Sequence, residues 1–81
     1  MKPTIHVTVK NRERTLFDTD ITALSSFNDI GLFDILPKHE NFISLIKNKI
    51  ILHKGEAVRE IKINQGVLKA RSDKVNIYLD L

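Results

Sequence analysis

Apolar and polar residues alternate with a period of two through most of this chain, which leaves little room for helices. Ile5, Val7 and Val9 fall on one side while His6, Thr8 and Lys10 fall on the other, as a half-buried strand requires. The carboxy-terminal stretch repeats the pattern, with Val75, Ile77, Leu79 and Leu81 set against Asn76, Tyr78 and Asp80. Twenty-one Val, Ile and Thr residues supply the branched side chains that fit a pleated surface. Asn11-Arg12-Glu13 breaks the pattern before Thr15-Leu16-Phe17, and Asn28-Asp29 ends the run Ile21, Ala23, Ser25 and Phe27. Pro37 ends a strand in which Gly31, Phe33 and Ile35 share a face, because proline has no donor for the ladder.

The last third carries further turn signals. Lys54-Gly55-Glu56 and Ser72-Asp73-Lys74 read as hairpin turns, with Ile61 and Ile63 facing inward between them. Gln65-Gly66 reads as a break where glycine suits a positive φ or a bulge. Phe42, Leu45, Ile46 and Ile50 also fit one face of a helix, but the isoleucines and Asn48 favour two strands with a turn near Lys47-Asn48. The expectation is one all-β domain over residues 1–81, a small antiparallel β-sandwich of about eight to ten short strands.

Composition narrows the function. With 42% apolar and 28% charged residues the chain is an ordinary globular domain, too short for two cores. It has no cysteine, hence no disulfide framework and no thiolate metal site. The amino terminus alternates where a signal peptide would be apolar, and Ile50-Ile51-Leu52 is far short of a membrane span. A soluble protein made where it works is expected. The net charge of +3 is spread along the chain, closest at Lys10-Arg12-Arg14, and the aromatics are few. A nucleic-acid surface shows a denser basic stripe interleaved with aromatics.

No catalytic centre is legible. His6, His39 and His53 lie at no metal-ligand spacing. Asp18 and Asp20 would share a face on a strand and could hold a cation, although a polar turn fits them better. Ser25-Ser26 has no nearby histidine or glycine-rich elbow, and the glycines at 31, 55 and 66 are too isolated to cradle a phosphate. Catalytic, cofactor and metal residues are therefore all expected to be absent, and a small-molecule ligand is not expected.

Longer-range order is more telling. Leu16-Phe17 is followed by Ile21, and then Gly31, Phe33, Ile35, Leu36, Pro37 and His39 stand at fixed spacing. Gly66-Val67-Leu68 and Asn76-Ile77-Tyr78-Leu79 come next. This series resembles the amino-terminal β-sandwich domain of the epsilon subunit of F-type ATP synthases, the counterpart of mitochondrial delta. Leu32, Asp34, Lys38, Glu40-Asn41 and Gln65 depart from the family's pattern. The family's carboxy-terminal helical hairpin has no counterpart here, so its inhibitory and ATP-binding roles are not carried over.

The resemblance implies a non-catalytic rotor subunit in the central stalk, at the cytoplasmic face of a membrane. It would dock the gamma subunit and the c-ring and so couple proton flow to ATP synthesis. It also implies partner contacts at Asn28 and Asp29 in the turn from Phe27 to Leu32, at Leu32 itself, and at Lys38 and His39 toward gamma. Leu32 would replace a charged contact by an apolar one, unless it joins the core. His39 could equally fix its own loop. The competing reading is a free-standing β-sandwich that binds oligonucleotides or glycans, supported only by the mild basic excess.

Overall fold

The computed structural model describes residues 3–38 and 41–79. Seven strands form one hydrogen-bonded sheet: β1 (Ile5–Lys10), β2 (Thr15–Ile21), β3 (Ala23–Phe27), β4 (Leu32–Ile35), β5 (Phe42–Lys54), β6 (Ala57–Arg71) and β7 (Lys74–Leu79). Their order in the sheet is β2-β1-β7-β6-β5-β3-β4. All pairings are antiparallel except β1 with β7, which run parallel. The all-β expectation holds, with fewer and longer strands than anticipated. β5 and β6 have 13 and 15 residues and each run on where two strands were expected.

The expected turn at Lys47-Asn48 is a β-bulge instead. Between the pairs Lys47–Gln65 and Lys49–Lys62 one residue of β5, Asn48, faces two of β6, Ile63 and Asn64. Asn48 takes a left-handed φ of 72°, which asparagine tolerates better than most residues. A bulge bends and twists the ladder, so the β5–β6 ribbon passes from one layer of the sandwich to the other. It also changes which residues of β6 point inward: Gly66, Leu68 and Ala70 on one side of the bulge, the half-buried Ile61 and Ile63 on the other.

Layer one thus contains β2, β1, β7, the second half of β6 and the first half of β5. Layer two contains the rest of that ribbon with β3 and β4. Val7, Val9, Leu68, Val75 and Ile77 from layer one share a single buried cluster with Leu24, Ile35, Ile50 and Leu52 from layer two. Burying each such side chain contributes roughly 1.5–3 kcal/mol. Phe33 of β4 and Phe42 of β5 close one margin, with ring centroids 5.4 Å apart.

Short turns hold the strands in register. Asn11 Oδ1 accepts from the amides of Glu13 and Arg14 at 2.8 and 3.0 Å and so closes the β1–β2 turn. Ser72 and Asp73 have φ of 49° and 60°, the two positive values of a type I′ hairpin between β6 and β7. Gly66 meets a different demand from the one expected. Its φ is not positive, and a Cβ there would lie 2.8 Å from the Tyr78 carbonyl oxygen, so the glycine permits close approach of β7. Gly66→Ala is expected to destabilise the fold by about 1–3 kcal/mol through this overpacking, measured as a lower urea midpoint at unchanged slope.

Asp18 and Asp20 lie on β2 and not in a turn, and they do share a face. His6 of β1 fills the space between them, its Nδ1 2.8 Å from Asp20 and its Nε2 against Asp18. Only the imidazolium can donate from both nitrogens, so the bonds to Asp20 and then Asp18 raise the His6 pKa above 6.5. A raised folded-state pKa contributes stability that is complete below 6.5 and lost as pH rises through the folded value. In an NMR titration the His6 ring should show a midpoint above 6.5, and His6→Gln should shrink the difference in Tm between about pH 6 and pH 8.

Candidate functional site

The turn after β3 is built around Asn28. The backbones of Asn28 and Gly31 exchange two hydrogen bonds of 3.0 and 3.1 Å, and Asn28 Oδ1 also accepts from the amides of Ile30 and Gly31 at 2.9 and 3.2 Å. Asparagine first and glycine fourth are the residues a type I turn prefers. Asn28 Nδ2 reaches Ser44 Oγ at 3.4 Å, and Lys47 Nζ pairs with Asp29 at 3.2 Å. The turn is therefore braced against β5 on two sides, and Asn28 acts as its frame more than as a surface group.

At the tip of this turn stands Ile30, 97% exposed. Sequence reasoning named Asn28 and Asp29 but missed Ile30; an isoleucine in the middle of an Asn-x-x-Gly turn was the signal. Leu32, 61% exposed, points away from the core on β4, so the core alternative for it does not apply. A fixed turn with a bare isoleucine and a leucine beside it is a protruding apolar knob.

Lys38 lies at the other end of β4. Its φ is 65°, and its amide donates to Asp73 Oδ1 at 2.5 Å, which ties the Pro37-Lys38 turn to the β6–β7 hairpin. His39 lies outside the described residues. The Asn28 turn sits beside Lys47, whose partner is Gln65, while Lys38 sits beside Asp73, just past Arg71. From Gln65 to Arg71 the strand rises about 20 Å. The Asn28 turn and Lys38 therefore lie toward opposite ends of the sandwich.

One polar cluster was not foreseen. Pairing of β3 with β4 and β5 brings Asp34 and His53 to Ser25, whose hydroxyl donates to Asp34 at 2.5 Å and lies 3.3 Å from His53 Nε2. The expectation that Ser25 has no histidine nearby is thus corrected: the neighbours come from distant sequence. Serine sits in the middle, with no contact between His53 and Asp34 that would orient the imidazole as a base. The cluster ties three strands together, and Asp34, one of the departures from the family pattern, is the acceptor it needs.

The outer faces are poor in aromatic surface. Among the described residues Tyr78 is the one exposed aromatic side chain, with Lys10 Nζ 5.0 Å from its ring. That gives little platform for stacked bases. No described group of three His, Cys, Asp or Glu residues is arranged to hold a metal ion. Among the described residues no helix is long and apolar enough to cross a membrane.

Comparison with known proteins agrees with this geometry. Residues 4–80 match the family model for the beta-sandwich domain of the ATP synthase Delta/Epsilon chain. The ATP synthase epsilon chain of Ruthia magnifica is 27% identical over 78 residues, covering 95% of this chain and 56% of that protein. The epsilon chain of Halalkalibacterium halodurans is 28% identical over 79 residues, with 96% and 59% covered. The chain thus spans a little over half the length of these relatives. A chain of the Euglena gracilis mitochondrial ATP synthase shares the fold, with a TM-score of 0.87 at 15% identity over 94% of this chain and 50% of that one. A chain from the central stalk and c-ring of the Tetrahymena thermophila enzyme superposes with a TM-score of 0.80 at 10% identity, covering 96% and 64%. Strand order, turn positions and the family match over nearly every residue lead to one conclusion: the chain belongs to the ATP synthase delta/epsilon family, as its β-sandwich domain.

Proposed function

We propose that this chain is a non-catalytic subunit of the central stalk of an F-type ATP synthase. It docks the gamma subunit and the c-ring and helps to couple proton flow to ATP synthesis, peripheral to the membrane at its cytoplasmic face. The family match over residues 4–80 carries the reading. The fold suits the task, because a stiff two-layer sandwich with braced turns can hold partners at both ends without reshaping itself.

The Asn28 turn is the end assigned to the c-ring, with Asp29, Ile30 and Leu32 as contacts. Lys38, at the opposite end, is assigned to gamma together with His39. Leu32 and Ile30 make the first contact apolar, so the matching loops of the ring should offer an apolar recess in place of a cation. Interfaces of about 800 Å² per side gain most from such central apolar anchors.

The chain should co-purify with gamma and the c-ring when all are expressed together. Ile30→Asp and Leu32→Glu should each lower recovery of the ring by about tenfold while shifting the Tm by only a few degrees, since neither side chain is in the core. His39→Ala should weaken the gamma contact and leave the ring contact intact. A chain that elutes alone at micromolar concentration would argue against the whole reading.

A further inference from the structure

Each layer of the sandwich ends in two strand edges, and the four are not alike. In layer one the edges are β2 and the first part of β5, since β3 joins β5 only from Lys47 onward. In layer two they are β4 and the first part of β6, since β7 joins β6 only from Gly66. An open edge recruits other strands unless charge, proline, a bulge or shortness blunts it. β2 carries Asp18 and Asp20 and a register shift opposite Val9 and Lys10. β4 has four residues, with Pro37 just beyond its end. The first part of β6 exposes Arg59, Glu60 and Lys62. The β5 edge has none of these devices along residues 41–46, which read Asn-Phe-Ile-Ser-Leu-Ile without charge or proline. On it Ile43 and Leu45 are 69% and 72% exposed. Among the described residues the backbone of 43–46 is paired with β6 alone.

We infer that this edge is a homotypic docking site, at which a second copy of the chain adds its own β5 antiparallel and closes both ladders. An open ladder is satisfied by an extended strand and not by a helix, and this strand is complementary to itself. A two-fold axis normal to the sheet keeps outward side chains opposite outward ones only if paired residue numbers sum to an even total. With the axis at Ser44, residues 41–47 pair with their twins. Ile43 then faces Leu45 of the second copy, Phe42 faces Ile46, and Lys47 faces Asn41. An axis moved toward Lys47 would bring two lysines together, which costs stability. The exposed aliphatic side chains of both copies merge into one apolar patch, continued on each side by the half-buried Val67 opposite Leu45. The Asn28 turn reaches this strand through the Ser44 side chain and takes none of its backbone groups. Because the pairing is isologous it stops at two copies, and the blunted edges leave no route to a longer sheet. Seven paired residues make a strip about 24 Å long and one strand wide. That falls short of the ~800 Å² per partner of a standard interface, so the dimer is weak, with a Kd on the order of 10–100 µM. Such a dimer belongs to the free chain and stands whether or not the stalk role does.

Sedimentation velocity on the intact chain from about 5 to 500 µM should show monomer giving way to dimer and to nothing larger. Ile43→Lys and Leu45→Lys place a cation on the edge, as natural edges do, and should each weaken the dimer by about tenfold or more. Val58→Lys, on the β6 edge, should leave it unchanged. Ser44 lies on the axis, where paired strands set its two Cα atoms about 4.5–5.5 Å apart, within disulfide reach. The chain has no cysteine of its own, so Ser44→Cys should oxidise to a covalent dimer while Val58→Cys does not. Amides of residues 43–46 should exchange more slowly as concentration rises. Unchanged Tm values at low concentration would show that the variants keep their fold. Monomer throughout the range would overturn the proposal, as would a dimer indifferent to Ile43→Lys and Leu45→Lys, or growth into longer assemblies. If the gamma subunit protects these amides and a second copy never does, the edge serves another partner: the homodimer falls and the stalk function stands.

Discussion

The bulge opposite Asn48 is the constraint on which this fold depends. Without the extra residue in β6, Ile61 and Ile63 would lie on the opposite face from the one they occupy, because side chains alternate along a strand. One offset lets a single ribbon present Leu68 and Ala70 to the core in layer one and Ile61 and Ile63 in layer two. Both layers then share one apolar cluster, which a chain of this size needs if it is to be stable without disulfides.

Much of this was legible in local pattern. β1 and β7 alternate cleanly, and the turn residues at Asn28, Gly55 and Ser72-Asp73 mark real turns. The sequence misled where two distant segments meet. Asn48 looked like a turn because asparagine favours left-handed backbone in turns and bulges alike, and only pairing with Ile63 and Asn64 distinguishes them. Gly66 looked like a position of positive φ or a bulge, but the bulge lies at Ile63 and Asn64, and the reason for the glycine is the Tyr78 carbonyl across the ladder. Asp18 and Asp20 looked like a polar turn because nothing local shows that His6 stands opposite.

The candidate site was legible in part for the same reason. Asn28, Asp29 and Leu32 could be placed by resemblance, and the structure adds that Asn28 is spent on its own turn while Ile30 carries the exposed surface. Departures from the family pattern also gain local accounts. Asp34 accepts from Ser25, and Leu32 lies free on the outside of layer two. Such changes keep the scaffold and alter what it offers to a neighbour.

The parallel pairing of β1 with β7 has a consequence for how the chain folds. The first and the seventh of these strands lie side by side, with the β5–β6 ribbon beyond β7. During synthesis the β1–β2 hairpin can form early, but it has no neighbour to join until β7 leaves the ribosome. Until then Val7 and Val9 wait in water, and the β1–β7 pairing falls to contacts of large sequence separation, the slowest kind to form.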